Sequence, residues 1–280
     1  MRHPVCRPNV KHNNIKIKAE NYMSMHERIT HRLMWTSERI QRRLMRISER
    51  IDDCMRYIAD PRECVYKFNA LKQSEKIMRR PELQSACALA ERIKEQDSDS
   101  ERQIKYTNVR RYIVSNLRRL YSLGLHGRFA APSPRKPFTV LDIGAGAGFF
   151  LYCCKLYGHE GTGFDASTSD LYTGMHAALG VRCACTAIRP MTPLPDFGGK
   201  FDLITAFAVC FHIAGGRVWS ADEWRFFLCD LLQNHCADGG KIYLHLNDNP
   251  PGDRADVRKK ILASFPSASF AYQAITLCKK

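Results

Sequence analysis

The chain has 280 residues, 45% of them hydrophobic, and a formal net charge of +15. That length holds one large domain or two modest ones, with enough apolar side chains for a sizeable core. No apolar run reaches the roughly 18–20 residues of a membrane-spanning helix, and the basic opening MRHPVCRPNVKHNNIKIKAE has no apolar stretch of signal-peptide length. These features exclude a helical membrane protein and lead us to expect a soluble, cytoplasmic one.

The charge is unevenly placed. Residues 1–137 hold 30 Lys+Arg against 15 Asp+Glu, whereas residues 138–280 hold 13 of each. The whole positive excess lies in the first half, which suggests two regions with different jobs. The twelve cysteines include no C-x-x-C pair, so buried free thiols are expected rather than a zinc site or a disulfide framework.

Residues 1–20 read as a disordered tail. An internal repeat follows: ERITHRLMWTS, ERIQRRLMRIS and ERIDDCMRYIA occupy 27–37, 38–48 and 49–59 without a gap. Eleven residues make three helical turns, so each repeat lands on nearly the same face. Ile29, Leu33, Ile40, Leu44, Ile47, Ile51, Met55 and Ile58 form one apolar stripe, and Asp60-Pro61 ends the helix. Such a helix can pack on its neighbours, self-associate into a homo-oligomer, or present arginines to nucleic acid or anionic lipid.

Two more helices are expected over 62–79 and 81–96, the second opened by Pro81 in a first turn. Ser100 with Gln103 makes a capping box for a further helix over about 101–123, stopped by Gly124. RFAAPSPRKP (128–137) reads as a linker, so the expected organisation is a basic helical region over 21–127 and a second domain over 138–280.

After Pro137 short apolar runs alternate with helical patterns. FTVLDI (138–143), EGTGFD (160–165), VRCAC (181–185), FDLITAFAV (201–209) and GKIYLHL (240–246) read as strands. Helices are expected over 148–157, 169–178, 221–235 and 254–264, with a last strand at 269–277. Ser220 and Glu223 cap the helix that starts at 221. The expected class is α/β: a Rossmann-like, doubly wound, mostly parallel sheet with helices on both faces, preceded by an all-α region. Its ligand belongs beyond the C-terminal ends of the central strands, where strand order reverses.

LDIGAGAGFF (141–150) fills that place. A dinucleotide fingerprint would need a third glycine where Phe149 stands, and a phosphate loop would need Lys-Ser or Lys-Thr after the glycines. Asp142 at the strand end suits an ammonium or a sulfonium better than a pyrophosphate.

Here the chain resembles the class I S-adenosylmethionine-dependent methyltransferases. VLDIGAGAGFF is similar to their first motif and GTGFDAS (161–167) to their second strand. PLPDFGGKFDLITAFAVCFH (193–212) and LLQNHCADGGKIYLHL (231–246) resemble the segments around strands four and five. The resemblance covers about 138–280 and implies S-adenosylmethionine as cofactor. It implies that Gly144, Gly146 and Gly148, in a loop that includes Ala145 and Phe149, let the backbone approach the methionine and ribose. Asp142 would orient the methionine amino group and Asp165 would hold the ribose. Ala166 and Ile188 would pack near the adenine, and Ala206 and Phe207 would line the methionine end. Many members place an acid after strand three to meet the adenine amino group; CACTAIRP has none, leaving Thr186 or a backbone carbonyl.

His212, just past strand four, is the expected candidate for a base, with a histidine bonded to loop backbone as the alternative. His245 and Asn247 are weaker candidates; Phe211, Trp219 and Trp224 could wall an acceptor site, with Trp224 expected rather to pack in the core. AFAVCFH at the end of strand four is unlike the [DNS]-P-P-[YFW] of nucleic-acid amine methylation, and DNPPG after strand five reads as a turn. Cys210 follows Val209 and not the proline expected of a cytosine-C5 nucleophile. The leading expectation is methyl transfer to an oxygen or nitrogen of a small molecule or sugar-like metabolite. The alternatives are a nucleic-acid methyltransferase docking through the basic helices and a non-catalytic oligomerising scaffold. No metal site is expected.

Overall fold

Residue 140 begins a run in which neighbouring side chains enter different cores, and the architecture follows from that alternation. The structure, a computed structural model, describes residues 62–96, 108–126, 137–167, 169–210, 212–214, 217–246, 253–271 and 274–279. The chain divides between Asp60 and Pro61 into two units, and every described residue belongs to the second. The expected tail, the eleven-residue repeat, the Ser100 capping box and nearly all of the linker lie outside the described residues.

Three helices come first: α1 (Arg62–Ile77), α2 (Pro81–Gln96) and α3 (Val109–Ser122). The Asn108 side chain caps α3 by accepting the Arg111 N–H at 3.1 Å. Gly124, at φ 75°, ends it, and Leu125 N–H returns to the Leu120 carbonyl. The sheet domain then alternates β1 (Thr139–Ile143), α4 (Phe149–Leu156), β2 (Glu160–Asp165), α5 (Asp170–Leu179), β3 (Arg182–Cys185) and β4 (Phe201–Val209). A short hairpin, β5 (Ile213–Ala214) and β6 (Arg217–Val218), precedes α6 (Ala221–Asp230), a π-helical turn (Leu231–His235) and β7 (Cys236–Leu246). The chain continues with α7 (Asp253–Ser264), β8 (Ser269–Ala271) and β9 (Ala274–Cys278).

Seven strands form one sheet in the order β3-β2-β1-β4-β7-β9-β8. The first five pair in parallel, and β9 runs antiparallel to both β7 and β8. From β1 the chain builds outward through β2 and β3, then crosses back to place β4 on the other side of β1. Strand order therefore reverses between β1 and β4, as the glycine-rich stretch led us to expect. Residues 186–200 make this crossover without a helix.

Three expectations need correction. The single strand expected at 269–277 is two short antiparallel strands. The helix expected over 221–235 is α-helical only to Asp230. The region expected to end in a linker does not stand apart from the sheet: Ala70, Ile77, Leu83, Ile113, Leu117 and Leu120 share one core with Val140, Tyr152, Cys153, Met175 and Leu203. Burying an amphipathic helix face needs a partner surface, and α4 and α5 supply it.

A second core holds Leu141, Ile143, Ile204, Ala206, Ile242 and Leu244 with Trp219, Trp224, Phe227, Leu231 and Ile261. Val140 and Leu141, or Leu203 and Ile204, thus go to opposite faces, as a period of two requires. The capping box at the start of α6 forms as expected. Ser220 N–H donates to Glu223 Oε2 at 2.7 Å, and Glu223 N–H to Ser220 Oγ at 3.2 Å.

Candidate functional site

The loop after β1 is tied to the end of β2. Gly144 and Ala145 N–H groups both donate to the Phe164 carbonyl, at 2.8 and 3.1 Å. Gly144, Gly146 and Gly148 all have positive φ, at 68°, 53° and 78°. A Cβ at Gly144 would overlap Val209 Cγ1 of β4, and one at Gly148 would sit 2.8 Å from Val181 and 3.0 Å from His176. Any other residue there would push β4 or α5 away from the loop. Gly146 donates its N–H to Asp165 Oδ2 at 2.9 Å, and its carbonyl meets His176 Nε2 at 2.7 Å. The loop is thereby held between β2 and α5 at the N-terminus of α4.

Two acids flank it. Asp142 pairs in register with Gly163 of β2 and Thr205 of β4, and Oδ1 accepts the Thr205 hydroxyl at 2.7 Å. Burial pushes its carboxyl up from 3.8 to about 7, against the Thr205 hydrogen bond and the Arg119 charge, with Asp165 adding to the rise. Asp165, at the end of β2, is half-buried. Besides Gly146, it accepts the Ser167 N–H on Oδ1 at 2.9 Å. An ionised carboxylate has about four lone-pair sites, so both oxygens can also accept from a diol.

The end of β4 closes the opposite side. Its ladder with β7 shifts register between Phe207 and Val209, and Ala208 lies at φ 55°. A non-glycine residue in that region stores strain, which gathers at functional sites. The Phe207 ring meets Phe150 at 4.7 Å and Tyr243 at 5.8 Å. The Arg119 guanidinium of α3 lies 4.5 Å above it.

The sequence-expected residues divide on this geometry. Asp142, Gly144, Ala145, Gly146, Gly148, Asp165 and Phe207 come together at the ends of β1, β2 and β4. Ala166 follows Asp165 and is exposed, while Ile188 lies half-buried beyond β3 against the second core. Thr186, considered for the adenine, donates its N–H to the Asp165 carbonyl at 2.9 Å. Phe149 turns inward and stacks on Tyr112 at 5.7 Å, so its ring belongs to the core and only its backbone to the loop. Ala206 is fully buried in the second core and backs the site.

His212 is 1% exposed, with its ring 5.6 Å from Trp224 and its carbonyl accepting the Trp219 N–H at 2.9 Å. The ring packs beside Trp224, and a contact with the loop is made by the His212 backbone carbonyl. Trp219 and Trp224 are themselves fully buried and edge-packed at 5.4 Å; they are core residues, not the wall of an acceptor site. His245 lies on β7 opposite Phe207. Phe211 and Asn247 lie outside the described residues.

A parallel sheet whose order reverses beside an acid-and-glycine loop, with a second acid ending the next strand, defines a domain for an adenosyl-type cofactor. Residues 141–229 match the family model of a methyltransferase domain. The matched residues carry a class I S-adenosylmethionine-dependent methyltransferase domain, whose cofactor is S-adenosylmethionine. No curated protein matches the chain.

Solved structures similar to it include a ribosomal protein L11 methylase from Lactobacillus delbrueckii subsp. bulgaricus. It is 20% identical over 59% of this chain and 78% of that one, with a TM-score of 0.37. The amino pentose methyltransferase CalS10 from Micromonospora echinaspora is 23% identical over 40% of this chain and 44% of that one, TM-score 0.31. The 16S rRNA N2 G1207 methyltransferase of T. thermophilus is 17% identical over 60% and 42%, TM-score 0.38. The chain thus spans under half the length of the latter two.

The residues fit the cofactor on chemical grounds: a close-approach backbone loop, a carboxylate at Asp165 with lone pairs left for a diol, and a buried acid at Asp142. Sequence reasoning missed Thr205, His176 and Arg119. A hydroxyl inside the apolar run FDLITAFAV was the one visible signal; nothing local marks the other two. Among the described residues no group of His, Cys, Asp and Glu could hold a metal ion, the cysteines are free, and no helix is long and apolar enough to cross a membrane.

Proposed function

We propose that the protein methylates an oxygen or nitrogen atom of a small molecule, with sugar-like metabolites as the leading class. The observation that carries the methyl-transfer reading is the loop from Gly144 to Gly148, strung between Asp142 and the carboxylate of Asp165. When bound, S-adenosylmethionine supplies an electrophilic methyl group on a sulfonium, open to in-line attack. The chain's own residues position it. Asp165 receives the ribose hydroxyls while fastened to Gly146, the glycine loop keeps side chains out of the way, and Asp142 faces the amino group. Holding donor and acceptor in line can supply much of the rate, and a base is needed only for an acceptor that arrives protonated. The placement of His212 among tryptophans favours a reading in which positioning dominates.

The balanced charge of residues 138–280 supports a small, weakly charged acceptor. Calorimetric titration with S-adenosylmethionine tests the donor. Heat of binding that Asp165→Ala abolishes is expected, and no heat with the intact protein would sink the enzyme reading. Labelled cofactor and fractionated cell extract test the acceptor: label should survive nuclease treatment in the small-molecule fraction.

The second reading is a nucleic-acid acceptor, favoured by exposed Lys72 and Lys76 on α1, Arg79 in the turn after it and Arg111 on α3, and by the charge excess of residues 1–137. It expects nuclease-sensitive label and RNA binding with a steep salt dependence. Because α1 and α2 share a core with the sheet, the test is Lys72→Glu with Lys76→Glu and Arg79→Glu in the full chain, not deletion of the helices. An oligomer through residues 27–59 remains part of the proposal, read out by light scattering of the intact chain.

A further inference from the structure

The crossover from β3 to β4, residues 186–200, runs without a helix, and Leu194 is its one buried residue. The backbone ties it down as well: Leu194 N–H donates to Asp230 Oδ2, at the end of α6, at 2.9 Å. Asp230 is only 7% exposed, and its other oxygen, Oδ1, accepts Asn234 Nδ2 at 2.8 Å. At the end of the π-helical turn His235 is 3% exposed, and neither ring nitrogen has a hydrogen-bond partner among the described residues. Its Nε2 lies 3.7 Å from the same Asp230 Oδ2. The Phe197 ring of the crossover sits 5.6 Å from the imidazole and stacks on Phe164 of β2 at 5.1 Å. Gly198 and Gly199, at φ 83° and 155°, lead into β4, and a Cβ on either would meet nothing within 4 Å. Their missing side chains serve backbone conformation rather than packing, as at a hinge.

A buried imidazole beside an acid that is already engaged has a defined response to acidification. Asp230 of α6 and Asp196 of the crossover are the charges that bear on His235; burial outweighs both and pushes the imidazole below its ordinary value. On the β7 side stands Cys236, whose thiol burial raises, so it stays neutral. Once protonated, the ring carries two N–H donors and no acceptor, and a buried charge left unpaired is costly. The anionic oxygen within reach is Asp230 Oδ2, the atom that holds Leu194.

We infer that Asp230 and His235 form an acid-released latch on the crossover between β3 and β4. With His235 neutral, Asp230 holds Leu194 in the second core. When His235 takes up a proton from solvent, the imidazolium draws Oδ2 to itself, the Leu194 N–H loses its acceptor, and the crossover swings on Gly198 and Gly199. Phe197 then leaves Phe164, whose carbonyl anchors Gly144 and Ala145. Acidification thereby loosens the glycine loop from behind. The latch belongs to the fold and stands whatever the acceptor.

The test is residue-resolved hydrogen exchange on the full-length chain between about pH 7.5 and 5.5, corrected for the intrinsic exchange rate. The closed latch binds the proton more weakly than the open one, so acid shifts the balance towards opening. Protection of the Leu194 amide should fall below about pH 6.5, by up to about tenfold per unit, while Ile204 in β4 keeps its protection. In His235→Gln and in His235→Leu the Leu194 protection should be independent of pH; the leucine refills the apolar surroundings and guards against a folding defect in the glutamine variant. Leu194 protection that ignores pH in the intact chain would overturn the latch, as would an equal fall in both variants. A parallel loss at Ile204 would assign the effect to global unfolding and overturn it too.

Discussion

The face of the sheet under α6 and α7 is built from residues that neighbour its strands in sequence, and its strand residues are apolar, with His212, Asp230 and His235 buried on the helices and loop beside them. Trp219, Trp224, Phe227 and Ile261 meet Ile143, Ile204 and Leu244 there. The opposite face takes its cover from α1–α5, three of which come from the basic half of the chain, and it carries Asp142, Thr205 and Phe207. One face gives the domain a core. The other carries buried polarity, and it needs helices from outside the α/β repeat to shield it. Shielding raises the Asp142 carboxyl and holds Arg119 over Phe207. The chemistry of the site therefore depends on a region that composition alone assigns to a different task.

The sharpest break in this comparison would come from core truncation. Ile113 of α3 and Trp224 of α6 are both fully buried. Ile113→Ala should cost about 2–5 kcal/mol and Trp224→Ala about 3–5 kcal/mol, both within one cooperative unfolding transition followed by circular dichroism and denaturant titration. A separate early transition in Ile113→Ala would mean that the helices fold apart from the sheet.

A smaller effect is expected at Asp165, the acid we propose for the ribose. Asp165→Asn keeps the shape but loses the charge, and should weaken S-adenosylmethionine by about 1.5–3 kcal/mol in isothermal titration. An unchanged affinity would remove Asp165 from the cofactor's contacts.

Asp142 links the shielded face to pH. Its folded value, about 7, lies above the ordinary 3.8, so between those values the native state holds a proton that the unfolded chain has lost. Stability therefore falls as pH rises through that window, and Asp142→Asn should flatten the slope in melting experiments. An ammonium beside Asp142 favours its ionised form, so cofactor affinity should rise as pH increases towards and through 7, by up to about tenfold per unit below it. Titrations in buffers of different ionisation enthalpy should show proton release that Asp142→Asn lacks.

The smallest change expected is on the apolar face. Ser220→Ala removes half of the α6 capping box and should cost about 1 kcal/mol while leaving cofactor affinity unmoved. A fall in affinity there would show that the two faces are coupled.

Much of this was legible in the chain. The strands ending in Ile143, Asp165 and Val209 match their expected ends, because a fully buried parallel strand must be a short apolar run bounded by polar or glycine residues. The Ser220–Glu223 cap was legible because it is a local exchange of hydrogen bonds. The boundary expected near the 128–137 linker did not separate two cores, since composition records charge but not which helix face is covered. His212 was placed by its distance from a strand end, and that distance does not reveal whether a side chain turns towards solvent or into a tryptophan cluster.

By itself the sequence determined the class of domain, the positions of its central strands and the glycine loop between two acids, because these follow from periodicity, backbone freedom and spacing over short separations. Only the tertiary structure decided that α3 covers the reactive face, that Thr205 and His176 fasten the acid and the loop, and that Arg119 stands over Phe207. Those contacts join residues from 30 to nearly 90 positions apart. Packing brings them together, and no local pattern encodes it.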